Sequence, residues 1–249
     1  MPNAGQEPDV RLELTLVRHG ETDWNAVRRI QGSIDIGLNA NGLAQAAAIG
    51  AALAERHRGA GVELPDSRAF GFDQLWSSDQ TRAAQTAAAI AQATGLAPRL
   101  DSRLRERHFG VFEGVHYADI PQRWPEEWSR WQARDPSWGP PEGEILSDFQ
   151  RRVRGWLESL LAELAAGVDA PPAASDAGDR VWRVIAVTHG GVLDMAYRHA
   201  ADLALEAPRE HETLNAARNV LEFSDGRWRV AVWADTAHLV QARPRGDDL

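Results

Sequence analysis

Two stretches far apart in the chain read alike. LTLVRHGE (Leu14 to Glu21) and IAVTHGGV (Ile185 to Val192) each carry an apolar run of strand length into His-Gly and then into helical patterning. A strand that turns sharply into a helix, twice, commits the chain to an alternation of the two, because parallel strands need a crossover and a helix is the usual one. The rest of the sequence follows that rhythm. FDQLWSS (Phe72 to Ser78) predicts a further strand. Before it, Gly42 to His57 spaces Leu43, Ala46, Ile49 or Gly50 and Leu53 as one helix face, with Asn39 or Asn41 as cap. After it, DQTRAAQTAAAIAQATG predicts a helix stopped by Gly95, and Arg99 to Leu104 a short third strand. A helix from about Ser147 to Ala166 puts Phe149, Val153, Trp156, Leu157, Leu160 and Leu164 on one face, ending at Gly167. NVLEFSDGRWRVAVW predicts a hairpin turning at Asp225-Gly226.

The fold class expected is therefore α/β: a three-layer α/β/α sandwich with a mostly parallel central sheet and an antiparallel edge strand near the C-terminus. A chain of 249 residues suits one such domain over 1–249, with a loose tail at 1–10 and a Pro/Ala/Asp-rich surface loop at 167–180. Lys and Arg total 27 against 36 Asp and Glu, a net charge of −9, which repels nucleic acid and anionic membrane. Arginines that gather around an anion must therefore do so in a local pocket. The absence of cysteine excludes disulfides, thiolate metal sites and cysteine nucleophiles. With no basic-then-apolar leader and no apolar run of membrane-spanning length, the expected location is cytoplasmic.

In an open α/β sheet, ligands bind beyond the carboxyl ends of the strands. The sequence puts histidine there twice, His19 and His189. Within a strand, Arg18 and His19 would face opposite sides, so serving one site requires leaving strand geometry, which Gly20 permits. Arg82 falls in the first turn of a helix after a strand, and Glu106 just past another strand. Each residue taken singly has a plainer reading: a surface cation, a capping or packed histidine, a solvated acid. Together at strand ends they weigh against coincidence.

LVRHGETDWN, RIQGSIDIGLNANG, SSDQTRAAQTA, LRERHFGVFEG and VTHGG, in that order, resemble the motifs of the histidine phosphatase (phosphoglycerate-mutase-like) superfamily. The tail NAARNVLEFSDGRWRVAVWADTAHL is similar to the ending of its bacterial phosphatase members. The resemblance implies that His19 attacks a phosphoryl group to form phosphohistidine, and that Arg18, Arg82 and His189 surround the phosphoryl oxygens. Glu106 would act as general acid and then base. It further implies substrate contacts at Asn25, Gln31, Gly32 and Gly190 beside Arg18, Arg82 and Glu106, with neither metal nor cofactor. The partner implied is a small phosphomonoester, not nucleic acid or membrane; a homodimer is left open. Asn25 has the alternative of capping a turn, and His108 reads as rim or structure. Zinc held by His19, His108 and His189 is disfavoured, because Arg18 adjoins His19.

The same core serves hydrolysis and phosphate relocation. Phe109 and Gly191 stand where phosphoglycerate mutases usually have Tyr and Asn, which points to a phosphatase, with the 2,3-bisphosphoglycerate-dependent mutase as runner-up. A lid-like helical insertion is expected at about 113–145. Its Arg123, Arg130 and Arg134 are interleaved with Trp124, Trp128, Trp131 and Trp138, for which packing is the first explanation and an aromatic lid the second.

Overall fold

The computed structural model describes residues 10–57, 71–167 and 181–240. The expected tail and surface loop lie almost wholly outside them. In chain order the elements are β1 (Arg11–Arg18), α1 (Asp23–Ala26), α2 (Ala40–His57), β2 (Gln74–Ser77), α3 (Thr81–Thr94), β3 (Pro98–Leu100), α4 (Ile120–Arg123), α5 (Pro125–Gln132), α6 (Leu146–Ala165), β4 (Val181–Thr188), α7 (Gly190–Ala200), β5 (Arg218–Ser224) and β6 (Arg227–Asp235).

The strands form one open sheet in the order β3-β2-β4-β1-β5-β6. β1, β2, β3 and β4 pair in parallel, whereas β5 is antiparallel to both its neighbours. The strand running against the rest is thus β5, one place in from the edge. The edge strand β6 pairs antiparallel with β5, so the C-terminal hairpin makes the antiparallel edge expected from the sequence. The hairpin between them turns on Asp225 (φ 51°) and Gly226 (φ 72°), the two positive values that a tight two-residue β-turn demands.

Alternation along the strands sorts the core into two layers. Leu12, Leu14 and Leu16 of β1 and Trp182, Val184 and Ala186 of β4 pack under α6 and α7. Val17, Ile185 and Val187 face α2 and α3 instead. After β1 the chain crosses one face of the sheet; after β4 it crosses the other. β1 and β4 are neighbours, so the crevice between their carboxyl ends is the topological switch point where open sheets bind ligands.

Local chemistry sets the element ends. Asn39 caps α2, its Oδ1 accepting from the Gly42 N–H at 2.8 Å, so the helix begins two residues earlier than predicted. Leu43 is then exposed rather than core, and the buried polar residue on that helix is Gln45, whose Oε1 accepts the Glu21 N–H. Gly95 ends α3 at φ 80°. The strand expected at Arg99–Leu104 stops at Leu100. Asp101 accepts from the Arg103 N–H at 2.8 Å and winds Ser102–Leu104 into a 3-10 turn.

The insertion folds into short helices around a third apolar cluster. Trp131 and Trp138 are buried with Ile30, Phe109, Phe112 and Ile120, while Trp124 and Trp128 flank them. Phe109 and Phe112 each stack on Trp131 with ring centroids 5.4 Å apart. Packing accounts for these aromatics.

Candidate active site

Parallel pairing puts Arg18 opposite Thr188, so the residues that follow, His19 and His189, leave the sheet side by side. The His19 N–H donates to the Thr188 carbonyl at 2.9 Å, and the two imidazole centroids are 5.1 Å apart. Gly20 serves this turn through close approach: a Cβ there would lie 2.4 Å from the Gly42 carbonyl oxygen of α2. What crowds Gly20 is helix backbone, which is more specific than the turn freedom inferred from sequence.

Both histidines are buried. His19 Nδ1 lies 2.7 Å from the Gly20 carbonyl oxygen, which can only accept. The proton is thereby fixed on Nδ1, and Nε2 is left with a lone pair. Burial, then the Arg82 and Arg18 guanidiniums, hold the His19 pKa well below the ordinary 6.5. His189 is pushed down in the same direction by burial, Arg82, His19 and Arg18. Its Nε2 is 2.9 Å from Ser78 Oγ, while Nδ1 is buried with no hydrogen-bond partner among the described residues.

Arg18 and Arg82 are both almost fully buried. Arg18 Nη1 donates to the Thr213 carbonyl. Arg82 donates to the carbonyls of Gly32 (2.8 Å) and Ile34 (3.1 Å) and to Gln80 Oε1 (3.2 Å). Those acceptors are neutral. Burial pushes the Arg82 pKa down to about 10 against the opposing pull of Glu106, Asp35 and Glu113, so it is still charged at neutral pH. A buried guanidinium whose hydrogen bonds go to neutral acceptors keeps its charge available to an anion.

Glu106 is suspended from two backbone donors: Oε1 accepts from Arg107 N–H at 2.8 Å and Oε2 from Gly191 N–H at 3.0 Å. Gly190 and Gly191 open α7, so the positive end of that helix faces the same crevice. A Cβ at Gly191 would stand 2.3 Å from Glu106 Oε1, which explains the glycine physically.

The remaining sequence candidates are tied in less directly. Asn25 completes a capping box on α1, Oδ1 accepting from Thr22 N–H and Oγ–H, which is the turn-capping alternative. Gln31 is buried and its Oε1 has no partner among the described residues. Gly32 (φ 54°) connects to the crevice through its carbonyl, which holds Arg82 and Gln80. His108 is half-exposed, with Nε2 3.8 Å from Glu113 Oε1. No group of three or more His, Cys, Asp or Glu among the described residues is arranged to hold a metal ion.

Sequence reasoning missed the layer behind these side chains. Ser78 meets His189, Asn215 Nδ2 donates to the His19 carbonyl at 3.0 Å, and Glu113 binds the Ser33 N–H (2.8 Å), the Ser33 hydroxyl (2.7 Å) and the Phe109 N–H (2.9 Å). Only Gln80 left a trace in the sequence: it occupies a helix N-cap, where glutamine is unusual.

Fold and crevice define a class, open-sheet α/β enzymes with buried arginines and histidines gathered at the strand ends. The chain belongs to the histidine phosphatase superfamily, branch 1, whose family model matches residues 14–236. It is 34% identical over 230 residues to a metal-independent phosphoserine phosphatase of Arabidopsis thaliana, covering 91% of this chain and 83% of that protein. It is 32% identical over 234 residues to a probable phosphoglycerate mutase GpmB of Salmonella arizonae, covering 92% of this chain and 95% of that one. Among solved structures, the mycobacterial glucosyl-3-phosphoglycerate phosphatase in complex with VO3 aligns with a TM-score of 0.70 at 30% identity, over 90% of this chain and 99% of that one.

Proposed function

We propose that the chain is a metal-independent phosphomonoesterase that works on a small phosphate ester through a phosphohistidine at His19. The observation that carries this reading is the tautomer of His19: Nδ1–H is spent on the Gly20 carbonyl, and the ring is kept neutral by burial and two guanidiniums. A neutral imidazole with Nε2 free is the form that attacks. In the first step Nε2 bonds to phosphorus as the ester oxygen departs and takes a proton from Glu106. In the second, Glu106 recovers a proton from water, whose oxygen displaces His19 from phosphorus. Proton transfer of this kind contributes about 10²–10⁴-fold. Arg18, Arg82 and His189, the last donating through Nδ1–H, stabilise charge on the non-bridging oxygens, with Gly190 at the α7 terminus. Asn25, Gln31 and Gly32 are assigned to contacts with the ester.

Hydrolysis is favoured over the mutase reading by the fate of the insertion's cations. Arg134 is committed to Asp194 at 2.6 Å and to the Leu205 carbonyl, Arg130 to Asp135 at 2.8 Å, and Arg123 lies over the Trp124 ring at 4.4 Å. Guanidiniums so engaged are not presented to a second phosphate or a glycerate carboxylate. The net charge of −9 supports a small ester rather than nucleic acid, and the lack of cysteine suits a cytoplasmic setting. No helix among the described residues is long and apolar enough to cross a membrane.

The test is p-nitrophenyl phosphate turnover in EDTA by wild type and His19→Ala. The wild type should turn over and the variant should lose at least about 10³-fold; equal rates reject the proposal. Interconversion of 3- and 2-phosphoglycerate outrunning phosphate release in the same preparation would replace it with the mutase.

A further inference from the structure

We propose that Gln80 is a positioning residue that holds the phosphate clamp Arg82 and the acid Glu106 in register with each other, an assignment that rests on the roles just given to those two residues. Gln80 touches no reacting atom. It is nonetheless buried at 5% exposure, and its amide joins three separate parts of the site. Oε1 accepts from Arg82 Nη2 at 3.2 Å and from the Glu106 backbone N–H at 3.1 Å. Nε2 donates to the Gly32 carbonyl at 2.9 Å, the same oxygen that receives Arg82 Nη2 at 2.8 Å. Only one orientation of the amide satisfies all three bonds, because two partners are donors and the third an acceptor.

The position itself shows that this side chain has been diverted. Gln80 is the N-cap residue of α3, yet its side chain makes no capping bond. Asp35 caps the helix from outside, accepting the Thr81 N–H and hydroxyl at 2.7 Å each. Beside Gln80, Asp79 is paired with Arg105, Nε to Oδ1 at 2.6 Å. Residues 79–80 and 105–106 are thus joined rung by rung, the outer rung an exposed ion pair and the inner rung the buried amide. Arg82 and Glu106 come from segments with no shared secondary structure, so their separation depends on that inner rung.

The test uses Gln80→Met, which keeps length and volume while deleting all three hydrogen bonds, and Gln80→Glu, which keeps the acceptor toward Glu106 N–H and loses the donor toward Gly32. Three readouts are taken with each protein: inhibition by inorganic phosphate, kcat on p-nitrophenyl phosphate, and kcat on phenyl phosphate, whose poorer leaving group needs more proton transfer. Gln80→Met should weaken phosphate inhibition about tenfold and lose about tenfold more kcat on phenyl phosphate than on p-nitrophenyl phosphate. Gln80→Glu should weaken phosphate inhibition through the carboxylate placed beside Arg82, yet keep the wild-type ratio between the two esters. Equal loss on both esters in both variants, following their loss of thermal stability, would mean a structural role only and overturns the proposal. So would wild-type behaviour of Gln80→Met. If the wild type turns over neither ester, the hydrolytic reading fails by itself, and the positioning role is then decided by phosphate affinity in Gln80→Met: unchanged affinity overturns it.

Discussion

Glycine at 191 leaves room for the acid it holds. The position donates its N–H to Glu106 and lies so near that even a methyl group would meet Oε1 at 2.3 Å and the Phe149 ring at 3.1 Å. Contacts this short are relieved by movement, and the movable partner is the carboxylate. Gly191→Ala is expected to lower kcat on phenyl phosphate by about 10²-fold while changing phosphate inhibition little, since Arg18 and Arg82 are held by other groups, the Thr213, Gly32 and Ile34 carbonyls and Gln80. Steady-state kinetics of the variant check this; an unchanged kcat would show that Glu106 tolerates displacement. The same crowding gives a physical reading of the departure from the mutase pattern, because an asparagine at 191 cannot coexist with Glu106 in its present place.

Helix α7 does two jobs from one element. Its N-terminus holds Glu106, and its second turn carries Asp194, which is bonded to Arg134 (2.6 Å) and Arg198 (3.0 Å) and has His211 Nε2 3.0 Å away. Burial alone would raise the Asp194 pKa, but the adjacent His211 ring and the two arginines hold it well below the usual carboxylate range. Arg134 belongs to the insertion, so this network fastens the insertion to the helix that positions the acid. Asp194→Asn leaves buried Arg198 and half-buried Arg134 without a counter-charge and should cost about 3 kcal/mol, read as a shift in the urea midpoint; a shift near zero would mean the network adds no stability. Such a contact was not legible in the sequence, because Arg134 and Asp194 are 60 residues apart and no spacing rule relates them. What was legible had local causes. Strand alternation, the Gly95 stop and the Asp225-Gly226 turn are written in neighbouring residues, and so were the His-Gly ends of β1 and β4. The third strand was overextended because Asp101, an ordinary polar residue in the sequence, captures the Arg103 N–H and starts a turn. The antiparallel edge was legible because its hairpin is local, whereas the strand order β3-β2-β4-β1-β5-β6 is decided by long-range pairing that no neighbouring residues record.

Two buried neutral imidazoles make the stability of the fold depend on pH. His19 and His189 titrate below their ordinary 6.5 in the folded chain, so as pH falls the unfolded chain binds protons first. Their contribution is full above about 6.5 and declines below it until the folded groups themselves titrate. The urea midpoint should therefore fall between about pH 7.5 and about pH 5.5, and fall less in a His19→Gln/His189→Gln variant; parallel pH profiles for the two proteins would assign the acid sensitivity elsewhere. The same pair has a geometric corollary. Each imidazole leaves the end of a strand, and the strands are adjacent and in register, so the gap between the rings (5.1 Å between centroids) follows the roughly 4.8 Å spacing of any hydrogen-bonded sheet. Main-chain bonding, rather than side-chain packing, acts as the calliper for whatever sits between them. Broadening the chemistry toward bulkier acids would leave that jaw fixed and fall to the surrounding loops, among them the Gly32 turn that carries Arg82's acceptor.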